Sequence, residues 1–377
     1  MFRSKDDKAR RCEELFFALL RFSLGIDRSF PHRPTAQEWV ELFACAHKQS
    51  MVGVMFEGLS RLPEDYFIPS EPEGAGAQTY IPERLAMQWA TDAERIAGLN
   101  DLQNRKAARL TTLFEQQGHH TAILKGQANA LLYPNPLSRQ PGDIDIYVDG
   151  GHDRISATLE ALGMSEGAVA NTSYHFQLPV DEDGIEVEVH FMHNTNKLNP
   201  VADERLQACL TQLLAEGAYL SDAGFRVPST AFALTMQLAH IYRHVLRSGV
   251  GLRQLTDYYL LLQSSTDDDR RQLAARLKEL GLRQLAGALM WVLGEVFHLS
   301  REQMIITPDQ RRGQWLLRCI VEGGNFGRYT KSRLTDGYRL RYLKHVLRQL
   351  RLAWYYPGDF RFLMRSVIPY RYRKWLS

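Results

Sequence analysis

The spacing of hydrophobic and polar positions predicts helices at both ends of the chain. Apolar residues recur three and four positions apart through 10–117, which is typical of helices packed on one face. Thr35 followed by Glu38 forms a capping-box pattern at the start of one helix. The proline- and glycine-rich stretch from Pro69 to Pro82 predicts a loop. A run of good helix formers then predicts one long helix over 83–117.

The middle of the chain changes to the shorter period of β-strands. Thr121 to Leu124 is a short apolar run, and Gly126 follows it. A short helix is predicted from Gln127 to Tyr133, because Pro134 cannot continue it. Asp143 to Val148 alternates acidic and apolar residues, which predicts a strand with one polar face.

A helix over 152–163 and a β-hairpin are predicted next. The arms of the hairpin are Tyr174–Val180 and Ile185–Phe191, with an acidic, glycine-containing turn between them. From Pro228 onward the spacing is helical again, with Ser229 or Thr230 as the first cap.

This order of elements predicts an α+β fold, in which a small mixed sheet is flanked by two helical regions. We expect an N-terminal helical region over 1–117, an α/β core over 118–227 and a C-terminal helical region over 228–377.

Two neighbouring acids on the predicted strand suggest a metal site. Asp143 and Asp145 are two residues apart, so their side chains point to the same face of a strand. Two carboxylates that close repel each other unless a cation lies between them, and Mg²⁺ prefers such oxygen ligands. Glu186, Glu188 and His190 share one face of the second hairpin arm. A strand beside the Asp143 strand would therefore add a third carboxylate.

Just upstream, Lys125 and Gly126 stand where a strand gives way to a helix. Backbone N–H groups at such a turn favour an anion. Lys125 can contact phosphate or remain a solvated strand-end charge. Arg139 can contact a triphosphate or pair with Asp143 or another neighbour. An anion cradle beside three acids is typical of metal-dependent phosphoryl chemistry.

His240 and His244 lie one turn apart on a predicted helix, so they share a face. Three interpretations remain open for this pair: a zinc site, a lining for the substrate cleft, and a packed, hydrogen-bonded pair. His190 can likewise orient an acid or the acceptor, or be purely structural.

Several of these motifs resemble the nucleotidyltransferase superfamily, which has the fold of DNA polymerase beta, and more narrowly an uncharacterised bacterial nucleotidyltransferase family. The superfamily signature is a glycine-containing turn, Asp-x-Asp on a strand and a third acid on a later strand. The residues that carry the resemblance span about 118–262. They are Leu124-Lys125-Gly126, Tyr133, Arg139, Gly142 to Ile146, Glu188-Val189-His190, His240, His244, Gly251 to Leu255 and Asp257.

The resemblance implies a role for each motif residue. Asp143 and Asp145 would bind two Mg²⁺ ions, and Glu188, rather than Glu186, would bind the catalytic ion and help deprotonate the acceptor hydroxyl. Gly126 and Gln127 would hold the β- and γ-phosphates of a nucleoside triphosphate. The chain departs from the usual pattern in having Gln127 after the glycine and Glu188 instead of aspartate.

The charge of the chain is unevenly distributed. The net charge is +3, but residues 338–377 contain ten Lys or Arg and one acid, which gives +9. The other residues carry 36 basic and 42 acidic groups, which gives −6. A basic segment with many aromatic residues can contact RNA or an anionic membrane. The spacing instead favours a packed helix that buries four apolar residues: Leu343, Leu347, Leu350 and Trp354.

Cysteine content and hydropathy narrow the class of protein. Four scattered cysteines without a CxxC pair are typical of reduced cytosolic thiols, and no apolar run reaches the length of a transmembrane helix. These features predict a cytoplasmic protein. The motifs and the resemblance imply an enzyme that moves a nucleoside monophosphate to a hydroxyl acceptor, most naturally a small molecule such as a sugar. A protein or tRNA acceptor is an alternative. The alternative function is a catalytically inactive module that binds a nucleotide or nucleic acid.

Overall fold

The computed structural model describes most of the chain. The described residues are 5–68, 79–165, 174–193 and 199–329, and then 343, 347, 348, 350–352, 354–357 and 359. Most of the predicted Pro69–Pro82 loop and much of the basic segment 338–377 lie outside the described residues. Among the helices that are described, none is long and apolar enough to cross a membrane.

The helices described in the N-terminal region agree with its helical spacing. They are α1 (Lys5–Ser23), α2 (Ala36–Gln49), α3 (Val52–Leu59) and α4 (Glu83–Gln116). The predicted capping box starts α2: the Thr35 side chain accepts a hydrogen bond from the Glu38 N–H, and Glu38 accepts one from the Thr35 N–H. These two bonds satisfy N–H groups that would otherwise lack a partner at the start of the helix.

A small mixed sheet follows α4. Its strands are β1 (Thr121–Ile123), β2 (Ile144–Val148), β3 (His175–Gln177) and β4 (Val187–His190), in the order β1-β2-β4-β3. β2 runs antiparallel to β1 and parallel to β4, whereas β3 and β4 form the predicted hairpin. The other elements of this region are α5 (Gln127–Ala130), α6 (Gly151–Ala161), α7 (Pro200–Ala215) and the two-stranded sheet of β5 (Ala218–Leu220) and β6 (Arg226–Pro228).

The C-terminal region is helical. Its helices are α8 (Thr230–Arg247), α9 (Leu252–Ser264), α10 (Asp267–Arg276), α11 (Arg283–Phe297) and α12 (Gln310–Gly323). Of the two predicted caps, Ser229 is the one that accepts a hydrogen bond at the start of α8, from the Phe232 N–H. The α+β class predicted from the sequence is confirmed.

The two helical regions share a single hydrophobic core. One cluster of buried residues joins side chains such as Trp39 and Trp89 with Phe232 and Leu289. A second cluster fills the space between the sheet, the end of α4, α6 and β6, with Phe114 and Phe225 among its members. The helices therefore stabilise each other and present one joint surface toward the sheet.

For the basic segment, the prediction of which helix face is buried is wrong. The described positions from 343 to 359 are mostly helical, but the four side chains expected to be buried are exposed: Leu343, Leu347, Leu350 and Trp354. Among the described positions of this segment, the buried residues are Leu352 and Tyr356. Both faces carry large apolar residues, so spacing alone could not tell which of them meets the core.

Candidate active site

Three carboxylates converge where β2 and β4 lie side by side. Asp143 directly precedes β2, and Asp145 is its second residue. The parallel register puts Glu188 opposite Asp145, so the two side chains share a face. Each of the three residues offers one carboxylate oxygen, and these oxygens lie within 4.8 Å of one another. The spatial arrangement inferred from the acid spacing is therefore present.

Two basic side chains balance the charge of these acids. Asp145 is only 1% exposed, and its Oδ1 accepts a hydrogen bond from His190 Nε2 at 2.9 Å. The same His190 nitrogen lies 3.2 Å from Glu188 Oε2. Lys125 Nζ is 3.0 Å from Asp145 Oδ2, outside hydrogen-bond geometry. Burial alone would raise the pKa of Asp145, but Lys125 and His190 outweigh it and hold that pKa below its usual value.

The donor atoms fit a hard divalent cation. Three carboxylate oxygens suit Mg²⁺, and Asp145 Oδ2 is a buried oxygen whose charge is met in the structure by the Lys125 ammonium at 3.0 Å. A second group, formed by His175, Glu188 and His190, also has ligand atoms within 4.8 Å of one another. Its two imidazoles would suit a transition metal better. Glu188 belongs to both groups.

A cavity of about 640 Å³ opens directly over the acids. The face of β2 and β4 that carries the acids forms one wall, and α8, the start of α9 and the turn at 325–328 form the other. His190, His240 and His244 all line it. Such a volume is in the range of small-molecule sites.

The helical wall of the cavity carries arginines to which the sequence assigned no role: Arg243, Arg253 and Arg328. Arg253 was part of the motif resemblance, but nothing in a single sequence shows that its side chain reaches the acids. Arg243 could have been found, because it lies three residues after His240 and therefore on the same face of α8.

Arg253 is a buried cation without an acidic partner among the described residues. It is 9% exposed, and its Nη1 donates to the carbonyl oxygens of Gln140 and Pro141 at 3.1 and 3.2 Å. Its buried Nε makes no hydrogen bond. Burial, together with nearby Arg139, lowers the pKa of Arg253 to about 10. Arg243 likewise has no ion pair within the described part of the chain. An anion in the cavity would satisfy both groups.

His240 and His244 form a hydrogen-bonded pair in this wall, with 3.1 Å between their Nε2 atoms. Burial, helped by Lys125 and Arg243, lowers the pKa of His240 well below its usual value, and burial lowers that of His244 to about 3. Both rings are therefore neutral near pH 7. They belong to neither of the two potential metal groups in the described structure, so the geometry favours a neutral pair that lines the cleft.

Two residues expected to bind phosphate are instead engaged by other protein groups. Gln127 is buried outside the cavity lining, and its Nε2 donates to Asn100 Oδ1 at 3.0 Å. Arg139 forms a two-pronged ion pair with Asp257, with both distances at 2.8 Å. The open alternative of an ion pair with a neighbour is the one observed for Arg139. Lys125 does line the cavity, and Gly126 adopts the left-handed conformation at the start of α5.

The helix α5 itself is shorter than expected. It ends at Ala130 instead of Tyr133, because the chain turns there and the Tyr133 hydroxyl donates to Asp257 Oδ1 at 2.8 Å. Tyr133 and Arg139 thus share one buried carboxylate.

Comparison with known proteins adds one match. The sequence profile of a family described as uncharacterised nucleotidyltransferase matches residues 35–298. The matched range begins just before α2 and runs through the sheet to the end of α11, so it contains the acids and most of the helical wall. No curated protein matches the chain.

Proposed function

Because the chain belongs to the uncharacterised nucleotidyltransferase family, we propose that it transfers a nucleoside monophosphate from a nucleoside triphosphate to a hydroxyl acceptor and releases pyrophosphate. The observation that carries this proposal is the group of three carboxylates, Asp143, Asp145 and Glu188, at the floor of a cavity of small-molecule size.

In this proposal the three acids hold the divalent metal. Asp143 and Asp145 would hold two Mg²⁺ ions, and Glu188 would hold the catalytic one, since one oxygen of each residue lies within 4.8 Å of the others. When bound, the ions would supply Lewis-acid activation of the acceptor hydroxyl and neutralise charge on pyrophosphate. Lys125, which balances the charge of Asp145 in the structure, then becomes available for the substrates.

The cations around the cavity hold the phosphates. Lys125 lies on the sheet wall beside the Gly126 turn, and Arg243 and Arg253 lie on the helical wall. Charged donors aimed at phosphate oxygens make strong hydrogen bonds. Arg253 has a further reason to bind an anion, since its Nε is buried without a hydrogen bond. We therefore assign the role expected of Arg139 and Gln127 to Arg243 and Arg253.

The transfer itself is a displacement at the α-phosphorus. The acceptor oxygen bonds to that phosphorus, the bond to the bridging oxygen of the β-phosphate breaks, and pyrophosphate leaves with the bridging oxygen. Glu188 takes the acceptor proton, and His190 keeps that carboxylate in place through its bond at 3.2 Å. The neutral pair of His240 and His244 lines the cleft for the acceptor or the nucleotide.

The acceptor in this proposal is a small molecule such as a sugar, because the cavity is compact and lined by many polar groups. A protein side chain or a tRNA end is the alternative acceptor. The three sequence regions have separate roles in this proposal. The middle region (118–227) supplies the acids, the C-terminal region (228–377) supplies the facing wall, and Leu99 and Gln103 of the N-terminal region (1–117) add to the lining. The basic segment is proposed to contact an anionic partner, either RNA or a membrane.

Calorimetry with MgATP and a pyrophosphate-release assay test this function. Asp143→Asn removes a charge but keeps the side-chain shape, so Mg²⁺-dependent binding and pyrophosphate release should both be lost. Glu160→Gln, at an exposed acid on α6, is the matched control and should change neither. Unchanged Mg²⁺ dependence in Asp143→Asn would contradict the metal site. Tight MgATP binding without pyrophosphate release, across a panel of hydroxyl acceptors, would favour the binding-module alternative.

A further inference from the structure

A stripe of large apolar side chains faces solvent on the basic segment. Its four members are spaced by four, three and four residues, which is one face of a helix. They are Leu343, 53% exposed, Leu347, 50%, Leu350, 53%, and Trp354, 70%. Scattered exposed apolar residues are ordinary, but four in one row mark an interaction surface. We call this row the apolar stripe.

The opposite face of the same segment is anchored to the body of the protein. Leu352 and Tyr356 are fully buried, and the Tyr356 ring packs edge-on against Tyr242 of α8 at 5.6 Å between centroids. Arg312 Nε donates to the Tyr355 carbonyl oxygen at 2.8 Å, and Arg348 donates to the Arg247 carbonyl oxygen at 2.6 Å. The segment is therefore held in place with the apolar stripe turned outward.

Positive charge accompanies the apolar stripe. Residues 338–377 carry a net +9 by sequence, against −6 for the rest of the chain. Arg351 is exposed on the same segment, and the Arg311 guanidinium from α12 lies 5.2 Å from the centre of the Trp354 ring. An exposed aromatic–arginine pair beside leucines combines charge with an apolar surface.

Exposed leucines next to positive charge fit three kinds of partner unequally: RNA, a second copy of the chain and an anionic lipid surface. RNA would use the arginines and Trp354, but three leucines add nothing to phosphate contact or base stacking. A second copy of the chain would bury the leucines, but it would bring two segments of +9 together. An anionic lipid surface satisfies both features, because leucines and tryptophan enter the headgroup boundary while arginines meet lipid phosphates.

We propose that the apolar stripe docks the protein on an anionic membrane surface. The charge of the chain also sets its orientation: the acidic body is repelled from the same surface that attracts the basic segment. Docking in this way is independent of nucleotidyl transfer, since the apolar stripe does not line the cavity.

Sedimentation of the full chain with lipid vesicles tests the proposal. The wild type should bind vesicles of mixed phosphatidylglycerol and phosphatidylcholine, and bind vesicles of phosphatidylcholine alone much more weakly. The double variant Leu347→Gln, Leu350→Gln should lose about tenfold or more in affinity, because two large apolar groups no longer enter the lipid. Trp354 fluorescence should shift to the blue on binding, and Trp354→Phe should remove that part of the signal.

The matched control is Met87→Gln, which removes an exposed apolar side chain from α4 and leaves the charge unchanged. It should bind anionic vesicles like the wild type. All variants should keep the wild-type melting temperature, because the replaced side chains are exposed. The proposal is overturned if the wild type does not bind anionic vesicles, or if the double variant binds them equally well. It is also overturned if the double variant converts a wild-type dimer into a monomer and loses no lipid binding.

Discussion

The two walls of the cavity are built in opposite ways. The sheet wall holds Asp145 and Glu188 through one strand register, so a short sequence pattern determines where its charges lie. The helical wall gathers Arg243, Arg253 and Phe326 from two helices and a turn. Its cations line the same cavity as the acids and have no acidic partners of their own in the described structure. The acids of such a site can therefore be located from a short sequence pattern. The residues of the opposite wall come together only because distant segments pack against each other.

The largest effect is expected from removing Asp257, the buried carboxylate on α9 that pairs with Arg139. Asp257→Ala should destabilise the protein by about 3–5 kcal/mol, because it leaves the buried Arg139 guanidinium without its partner. Chemical denaturation measures this change. Asp267→Asn, at an exposed ion pair with Arg270, is the control and should cost about 1 kcal/mol or less. Equal effects of the two changes would show that Asp257 does not support the wall.

The neutral histidine pair makes the helical wall sensitive to acid. The pKa of His244 is about 3 in the fold against 6.5 normally, so the unfolded chain binds more protons in this range. The fold therefore loses stability as the pH falls from 6.5 toward 3, by on the order of 5 kcal/mol. His244→Gln should flatten the dependence of the unfolding free energy on pH in this window. A slope identical to that of the wild type would contradict a neutral, buried His244.

Replacing Arg253, the wall arginine without an acidic partner among the described residues, should weaken substrate binding without unfolding the protein. Arg253→Gln should raise the apparent Kd for MgATP by about tenfold to a hundredfold, since it deletes a charged hydrogen-bond donor. Arg283→Gln, at an exposed position at the start of α11 outside the cavity lining, should leave binding unchanged. Melting temperatures close to that of the wild type for both variants would assign the loss to the site. If Arg253→Gln binds MgATP with wild-type affinity, Arg253 does not contact the phosphates, and Lys125 on the sheet wall remains as the candidate.

The smallest effect is expected from replacing Glu186, the acid that the sequence could not separate from Glu188 as the third metal ligand. Glu186 precedes β4 and is exposed, whereas Glu188 lies opposite Asp145. Glu186→Gln should change kcat by less than about twofold, and Glu188→Gln should lower it by about 10² or more. A pyrophosphate-release assay compares them. Reversed effects would mean that Glu186, from the rim of the cavity, is the third metal ligand.

The sequence predicts well those parts of the fold in which the spacing of residues along one strand determines which side chains share a face. Asp143 and Asp145 had to share a face, and the alternation in β4 required Glu188 to face the same way as His190. Arg139 and Gln127 could not be placed in this manner. Their partners, Asp257 and Asn100, lie far away in sequence, and only tertiary packing brings them together.

The basic segment shows a second limit. Its helical spacing gives two apolar rows, one through Leu347 and Trp354 and the other through Leu352 and Tyr356. Which row is buried depends on the shape of the surface that α8 and α12 offer, and the segment's own pattern contains no information about that surface.

A crystal structure with Mn²⁺ and a non-hydrolysable nucleoside triphosphate tests the central claim most directly. Mn²⁺ takes the oxygen ligands of Mg²⁺ and can be located by its anomalous scattering. The account predicts Mn²⁺ coordinated by Asp143, Asp145 and Glu188, with the triphosphate reaching Lys125 and Arg253. Mn²⁺ held by the imidazoles of His175 and His190, or a nucleotide bound with no metal on Asp143 and Asp145, would contradict it.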